Sequence, residues 1–247
     1  MRRRTTGRSG QQRATRREKQ PVAPGTISQV QATQRDPERV SIYIDGAFAF
    51  ALPAIVAVQR GLQRGVELDE AVVRELEGLA EAERATEAAL TFVAYRPRSE
   101  REVRDRLRRR EFAQAAIDAA IERLRGWRYL DDRAFAEYWV ENRAEHAPRG
   151  RRALEAELRA KGVDRDVTGD VLEGIDLGEE DAALELARKR VLRLSALDEP
   201  TQRRRLAAFL GRRGYGWDVI RPVLDRLYGP EDDDADLAGE DAPGESE

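Results

Sequence analysis

The feature of this sequence that most restricts its fold is an internal repeat of about 50 residues. Leu107, Leu158 and Leu210 take the same position in three consecutive segments, at spacings of 51 and 52 residues. Further apolar positions keep this register: Val103, Leu154 and Leu206; Phe112, Val163 and Tyr215; Ile121, Leu172 and Leu224; and Leu124, Ile175 and Leu227. Apolar residues at helical spacing in a repeat of this length indicate small helical units that bury a continuous core only when stacked.

Each unit is predicted to hold three helices. The first helices are apolar at Ala89, Leu90, Phe92 and Val93; at Phe135, Ala136, Trp139 and Val140; and at Leu184, Ala187, Val191 and Leu192. Breaks follow at Pro97, Pro148 and Pro200, and tight turns at Arg110-Glu111, Lys161-Gly162 and Arg213-Gly214 separate the second helices from the third. The sequence therefore predicts a mainly α fold, in which three tandem three-helix repeats, at 85–130, 131–176 and 177–229, form an elongated curved array.

A different pattern precedes the repeats. Apolar and polar residues alternate around Asp45-Gly46, a dipeptide typical of two-residue hairpin turns. Pro53 ends this alternation, and the segments 54–62 and 68–79 are predicted to be short helices, the second capped by Asp69. Residues 26–84 are thus expected to form a small module of a β-hairpin and short helices.

The two ends of the chain carry opposite charge. The first 25 residues hold eight Lys or Arg and one acid, whereas 229–247 holds nine acids and no base. We expect a disordered basic tail at 1–25 and a disordered acidic tail at 230–247. The longest apolar run, 47–58, is too short to cross a membrane, and the chain has no cysteine. These features predict a soluble cytoplasmic protein without a membrane segment, and we expect a monomer.

Residue types suited to catalysis are scarce. His146 is the single histidine, and no glycine-rich loop ending in Gly-Lys-Ser/Thr is present. Asp131 and Asp132 could form a paired-carboxylate site, but their place directly before a predicted helix favours capping, as it does for Asp198. We therefore expect no catalytic residue, no metal and no cofactor.

Positive charge on the second helices is the remaining functional signal. The candidate contact residues are Arg96, Arg98, Arg101, Arg104, Arg108, Arg109, Arg149, Arg151, Arg152, Arg159, Lys161, Arg204, Arg205 and Arg212. Such a series could follow a phosphate backbone or an acidic protein groove. The alternative for any single arginine is a solvated helix face with local ion pairs, such as those open to Arg104 and Arg108 with Glu100.

Several motifs resemble the RecX family of bacterial regulators of the RecA recombinase. Residues 95–103 (YRPRSEREV) are similar to the family signature at the first second helix, and 129–136 (YLDDRAFA) to the junction of the first two repeats. Residues 149–152 and 157–163 resemble the second helix and turn of the second repeat, and Ile42 to Gly46 with Glu67 to Asp69 follow the order of longer members. The likeness extends from about 26 to 229, and Arg151 departs from it where many relatives have a proline.

The resemblance implies a regulator that lies in the groove of the RecA filament on single-stranded DNA, hinders ATP turnover and strand exchange, and contacts the DNA directly or through RecA. Two other classes stay open. A general DNA-binding protein would use its third helices in a DNA groove and lose affinity steeply with salt. A nuclease would cleave labelled DNA with magnesium, which we do not expect.

Overall fold

A computed structural model describes residues 22–33 and 36–230 of the chain. The tails expected to be disordered, 1–25 and 230–247, lie almost wholly outside this part. The chain divides into two compact units, Met1–Glu81 and Ala82–Glu247. Each unit is described by itself below.

The first unit contains a small antiparallel sheet. Its strands are β1 Gly25–Ala32, β2 Arg39–Ile44, β3 Ala47–Pro53 and β4 Glu67–Leu68, in the order β3-β2-β1-β4. The predicted hairpin turn between β2 and β3 is confirmed, because φ is 47° at Asp45 and 81° at Gly46. Ile27, Ile42 and Leu52 are fully buried and form the centre of this core.

Two helices follow the sheet, and the second differs from its prediction. The first is α1 Ala54–Gln59, and the second is α2 Glu70–Val93, a single helix of 24 residues. Asp69 accepts a hydrogen bond from the Val72 N–H at 2.8 Å, so the predicted cap is confirmed. The predicted end near residue 79 is wrong, because Ala and Glu dominate the stretch that follows and no proline breaks it.

The second unit is entirely helical in its described part. Three helices form each repeat, and the end of α2 serves as the first helix of the first repeat. The others are α3 Glu100–Arg109, α4 Gln114–Gly126, α5 Asp132–His146, α6 Arg151–Ala160, α7 Arg165–Gly174, α8 Glu179–Val191, α9 Glu199–Arg212 and α10 Trp217–Tyr228. The predicted fold class, mainly α with three three-helix repeats behind a small strand module, is confirmed.

Each repeat has its own apolar core, which contains the equivalent positions of the predicted repeat. Leu107, Leu158 and Leu210 are fully buried at the centres of three separate clusters. The equivalent residues Ile121, Leu172 and Leu224, which come from the third helices, are buried beside them. Leu192 is an exception: it lies at the end of α8 and is 79% exposed, although the helical spacing predicted a core position.

Polar side chains cap several of these helices, and the caps predicted at Asp131 and Asp198 are confirmed. The Ser99 hydroxyl accepts from the Glu102 N–H, and the Asp131 carboxylate accepts from the N–H groups of Arg133 and Ala134. Asp198 accepts from the Thr201 N–H at 3.1 Å, and this bond holds the pKa of Asp198 below its ordinary value. The Ser99 and Asp131 caps each stabilise their helix by about 1 kcal/mol.

Candidate functional site

The structure divides the fourteen candidate basic residues into two groups. Eight of them are exposed on the second helices α3, α6 and α9: Arg101, Arg108, Arg109, Arg152, Arg159, Arg204, Arg205 and Arg212. The other six are partly buried and make contacts within the second unit: Arg96, Arg98, Arg104, Arg149, Arg151 and Lys161. Sequence spacing alone did not separate these groups.

Three of the exposed arginines repeat with the register of the fold. Arg101, Arg152 and Arg204 are 51 and 52 residues apart, and each stands two residues before a buried core position of its second helix. Residues two apart on a helix point about 200° from each other, so burial of the core residue turns each arginine to solvent. Arg108 and Arg159 are also equivalent, whereas the third repeat has Gly211 there and Arg212 beside it.

Arg104 is the clearest internal arginine of the first repeat. Its Nε donates to Glu100 at 2.7 Å, and its Nη1 donates to Asp118 on α4. The bond from Arg104 lowers the pKa of Asp118 below its ordinary value. Arg125 on α4 also pairs with Glu100, so two ion pairs, Arg104 with Asp118 and Arg125 with Glu100, join α3 to α4. Arg104 therefore holds two helices together. It forms the local ion pair with Glu100 that the alternative interpretation offered, but it is only 22% exposed, and Arg108 pairs with Asp105 instead of Glu100.

Lys161 and Arg96 belong to the junction between the first and second repeats. Both donate to Glu102, Lys161 at 2.7 Å and Arg96 at 3.3 Å. The Ser99 hydroxyl donates to the Lys161 carbonyl at 2.7 Å, and the Lys161 ammonium lies 4.8 Å from the centroid of the Trp139 ring. Burial alone would raise the pKa of Glu102, but the bonds from Lys161 and Arg96 outweigh it and hold the pKa below its ordinary value.

The junction between the second and third repeats involves the equivalent positions, but here backbone groups make the hydrogen bonds. The Gly150 N–H donates to the Arg213 carbonyl at 3.0 Å, where the first junction has Ser99 and Lys161. The Arg152 N–H donates to the Gly214 carbonyl at 3.3 Å. In both junctions, the turn of one repeat therefore rests on the start of the second helix in the repeat before it.

An acidic residue completes each junction. Asp132, the first residue of α5, accepts from the Glu100 N–H at 3.0 Å, and Glu179, the first residue of α8, accepts from the Arg151 N–H at 2.8 Å. Burial raises the pKa of the Asp132 carboxyl above its ordinary value. Asp131 caps its own helix as predicted, whereas Asp132 caps a helix of the preceding repeat, a role that a sequence pattern within one helix could not reveal.

The turns between second and third helices have left-handed backbone at equivalent positions. The φ angle is 60° at Glu111, 84° at Gly162 and 90° at Gly214. A Cβ at Gly162 would lie 2.7 Å from the Arg101 Cβ, and one at Gly214 would lie under 3.0 Å from Ala153. Glycine is favoured at both junctions by this close approach as well as by the positive φ.

Arg98 lines a cleft of about 350 Å³ at the first junction. Its guanidinium lies 4.1 Å from the centroid of the Phe92 ring, and burial, followed by repulsion from Arg96, lowers its pKa. Arg101, Arg109 and Lys161 line the same cleft, as do Glu102 and Asp105. The equivalent Arg149 lies 3.6 Å from Glu157, and Arg151 donates to the Leu172 carbonyl at 2.6 Å. These arginines therefore stabilise the fold through contacts within the second unit and also add positive charge to its surface.

The aromatic side chains of the second unit differ in their exposure. Trp139 is partly buried against the core of the second repeat and donates to Glu157 at 2.8 Å. Trp127 and Trp217, near helix ends, are 52% and 58% exposed, and Tyr129 is exposed as well.

His146 is exposed at the end of α5. Within the described residues, no three His, Cys, Asp or Glu side chains are grouped to hold a metal ion.

None of the helices in the described region combines the length and the apolar character that crossing a bilayer would need.

Comparison with known families matches four consecutive parts of the chain. The model described as the N-terminal domain of regulatory protein RecX matches residues 25–69. Those of the first, second and third three-helix domains of RecX match 85–124, 131–172 and 178–224. The order of the four matches follows the sheet and the three repeats described above.

Individual relatives agree with these matches. Regulatory protein RecX of Bacillus velezensis is 32% identical over 212 residues, which cover 85% of this chain and 81% of the relative. Regulatory protein RecX of Mycobacterium avium is 41% identical over 144 residues, or 58% of this chain and 83% of the relative. A crystal structure of regulatory protein RecX superposes with a TM-score of 0.70 at 25% identity, covering 81% of this chain and 98% of that chain. On the agreement of sequence, domain order and fold, this chain belongs to the RecX family of regulatory proteins.

Proposed function

We propose that this chain is a non-catalytic regulator that binds the RecA filament on single-stranded DNA and lowers its ATPase, recombinase and strand-exchange activity. Membership in the RecX family supports the regulatory role, and the resemblance to that family supplies RecA as the partner. The observation that carries the proposal is the series Arg101, Arg152 and Arg204, one exposed arginine at the same position of each repeat.

A periodic row of cations suits a partner whose negative charges also repeat. Successive protomers of a filament present such groups at regular intervals, as do the phosphates of its DNA. One exposed ion pair contributes about 1 kcal/mol or less. Three that form together gain from shared geometry, because the second and third contacts are made without new loss of translational freedom.

The two equivalent junctions keep this row in register. Each joins neighbouring repeats through a hydrogen bond to the carbonyl of Lys161 or Arg213 and through the carboxylate of Asp132 or Glu179. A preorganised spacing reduces the ordering cost of binding to a regular partner. The internal basic residues, such as Lys161 and Arg104, thereby contribute to the site by fixing the helices that carry the exposed ones.

The test is the DNA-dependent ATPase of the cognate RecA, titrated with the full-length protein. Arg101→Glu, Arg152→Glu and Arg204→Glu are made separately, with Arg165→Glu, an exposed arginine at the start of α7, as the matched control. We expect each second-helix variant to need about five to ten times more protein for half inhibition, corresponding to about 1–1.4 kcal/mol. The control should inhibit like the unmodified protein.

Two results would overturn the proposal. One is an unchanged ATPase at several-fold excess of protein over filament, and the other is an equal loss of inhibition in the Arg165→Glu control. A general DNA-binding protein, the alternative that exposed arginines also suit, would bind duplex DNA without RecA and lose affinity steeply with salt for every sequence. Binding measured by anisotropy at two salt concentrations separates that function from filament regulation.

A further inference from the structure

The last described residues of the chain are anchored against the first half of α9. Arg203 donates to the Gly229 carbonyl at 2.6 Å, and its guanidinium lies 5.2 Å from the centroid of the Tyr228 ring. The Tyr228 hydroxyl donates to Gln202 at 2.8 Å, and burial raises the pKa of that hydroxyl. Gly229, two residues before the segment 231–247, is therefore held beside α9.

The outer surface of α9 carries charge that the described residues do not neutralise. Arg205 and Arg212 are exposed and, within 22–33 and 36–230, make no hydrogen bond or salt bridge. They are seven residues apart, which places them two helical turns apart on one face, with exposed Ala208 between them. Arg204 lies at the edge of this surface, which we call the basic face of α9: Arg204, Arg205, Ala208 and Arg212.

The segment 231–247 is complementary to this face in charge and sufficient in length. It contains nine acids and no base among its 17 residues. Fully extended, 17 residues span at most about 60 Å, whereas α9 is about 21 Å long. A short tether also keeps the local concentration of the acids in the millimolar range, which favours even weak ion pairs.

We propose that the acidic segment 231–247 binds to the basic face of α9 of its own chain. The face is then occupied by an internal anion, which an external partner must displace before Arg204, Arg205 and Arg212 become available. The contact itself is independent of the function proposed above; its effect on partner binding rests on that function. Binding in trans, by the segment of a second copy, is the rival occupant.

The absence of cysteine from the chain allows a direct test by disulfide trapping in the full-length protein. The test variant combines Ala208→Cys with Ala238→Cys. The matched control combines Ala156→Cys with Ala238→Cys, since Ala156 is exposed at the equivalent position of α6. Disulfide formation in a glutathione buffer is followed by non-reducing electrophoresis and mass spectrometry.

At about 50 mM salt, where screening is weak, we expect the test pair to form its disulfide within one chain about ten times faster than the control pair. Because the rate depends on charge, it should fall about tenfold at about 0.5 M salt. Arg205→Ser with Arg212→Ser should slow it as much, and so should replacement of Asp232, Asp233, Asp234 and Asp236 by Asn.

Three results would overturn the proposal: a test pair no faster than the control, a rate insensitive to salt and to both sets of substitutions, or disulfides between chains that increase with protein concentration. The second would mean proximity without attraction, and the third would assign the face to another copy. Neither RecA nor DNA is present in the experiment, so its failure is distinct from a failure of the proposed function.

Discussion

Replacing Gly150 by alanine tests the contact between the second and third repeats. Gly150 is the residue before α6, with φ −72° and ψ 159°, a conformation that alanine adopts without strain. An added Cβ would lie less than 3.0 Å from the Gly214 carbonyl and from the Tyr215 nitrogen, both backbone atoms that cannot rotate away. The substitution therefore acts on the junction and on little else.

The expected loss of stability follows from these contacts. Forcing a methyl group into packed backbone costs about 1–3 kcal/mol. Weakening the bonds from Gly150 to Arg213 and from Arg152 to Gly214 adds about 0.5–1.5 kcal/mol for each bond. Alanine has less conformational freedom than glycine in the unfolded chain, which offsets about 0.4–1 kcal/mol of this loss of stability. We expect a net loss of about 1–5 kcal/mol, which lowers the melting temperature by about 2–20 °C, at about 2–4 °C for each kcal/mol.

The assay is thermal and urea denaturation followed by circular dichroism. Gly169→Ala is the matched control, because a Cβ at Gly169, within α7, would meet no atom within 4 Å. Alanine is a better helix former than glycine, so this variant should gain about 0.5–1 kcal/mol. A Gly150→Ala protein as stable as the unmodified chain would refute the inference that backbone contact joins the second and third repeats.

Two further predictions concern the acids of the first junction. Glu102→Gln should lower stability at pH 7 by about 1–3 kcal/mol, because it removes the charge that Lys161 and Arg96 hold. The pKa of Glu102 is lowered in the folded state, so its contribution is present above the unfolded pKa of about 4.3 and is lost as pH falls through the folded value. Urea denaturation from pH 7 to pH 3 should show the two proteins converging, and a constant difference would contradict this reasoning. Asp132→Asn should be as stable as the unmodified protein at pH 7, or more so, because burial raises the pKa of Asp132 and an amide oxygen can still accept from the Glu100 N–H. Asp132→Ala leaves that N–H without its partner and should lose about 1–2 kcal/mol, so equal melting temperatures of the Asn and Ala variants would argue against the capping role.

The sequence was most informative within single helices and turns. The spacing of Leu107, Leu158 and Leu210 predicted three cores, because residues at helical spacing share a face whatever that face contacts. Asp45-Gly46 predicted its turn, since few dipeptides tolerate two positive φ angles. The end of α2 was mispredicted because a run of good helix formers contains no signal for a stop.

Contacts between repeats could not be predicted in the same way. Ser99 and Glu102 have the spacing of a reciprocal capping box, but only the Ser99 half forms, because Glu102 bonds to Lys161 and Arg96. Its partner Lys161 is 59 residues away in the sequence. A local sequence pattern does not indicate which helices of successive repeats lie close together. For the same reason, spacing placed exposed Arg152 and internal Arg151 in one basic group.

The junction between the second and third repeats has a consequence for how such proteins diverge. Two of its hydrogen bonds join main-chain groups, from Gly150 to Arg213 and from Arg152 to Gly214. Substitutions at Arg152 and Arg213 leave those bonds intact, while the glycines are constrained by the space their neighbours leave. Surface side chains can therefore change to suit different partners while the repeats keep their mutual placement, consistent with a family structure that superposes with a TM-score of 0.70 at only 25% identity.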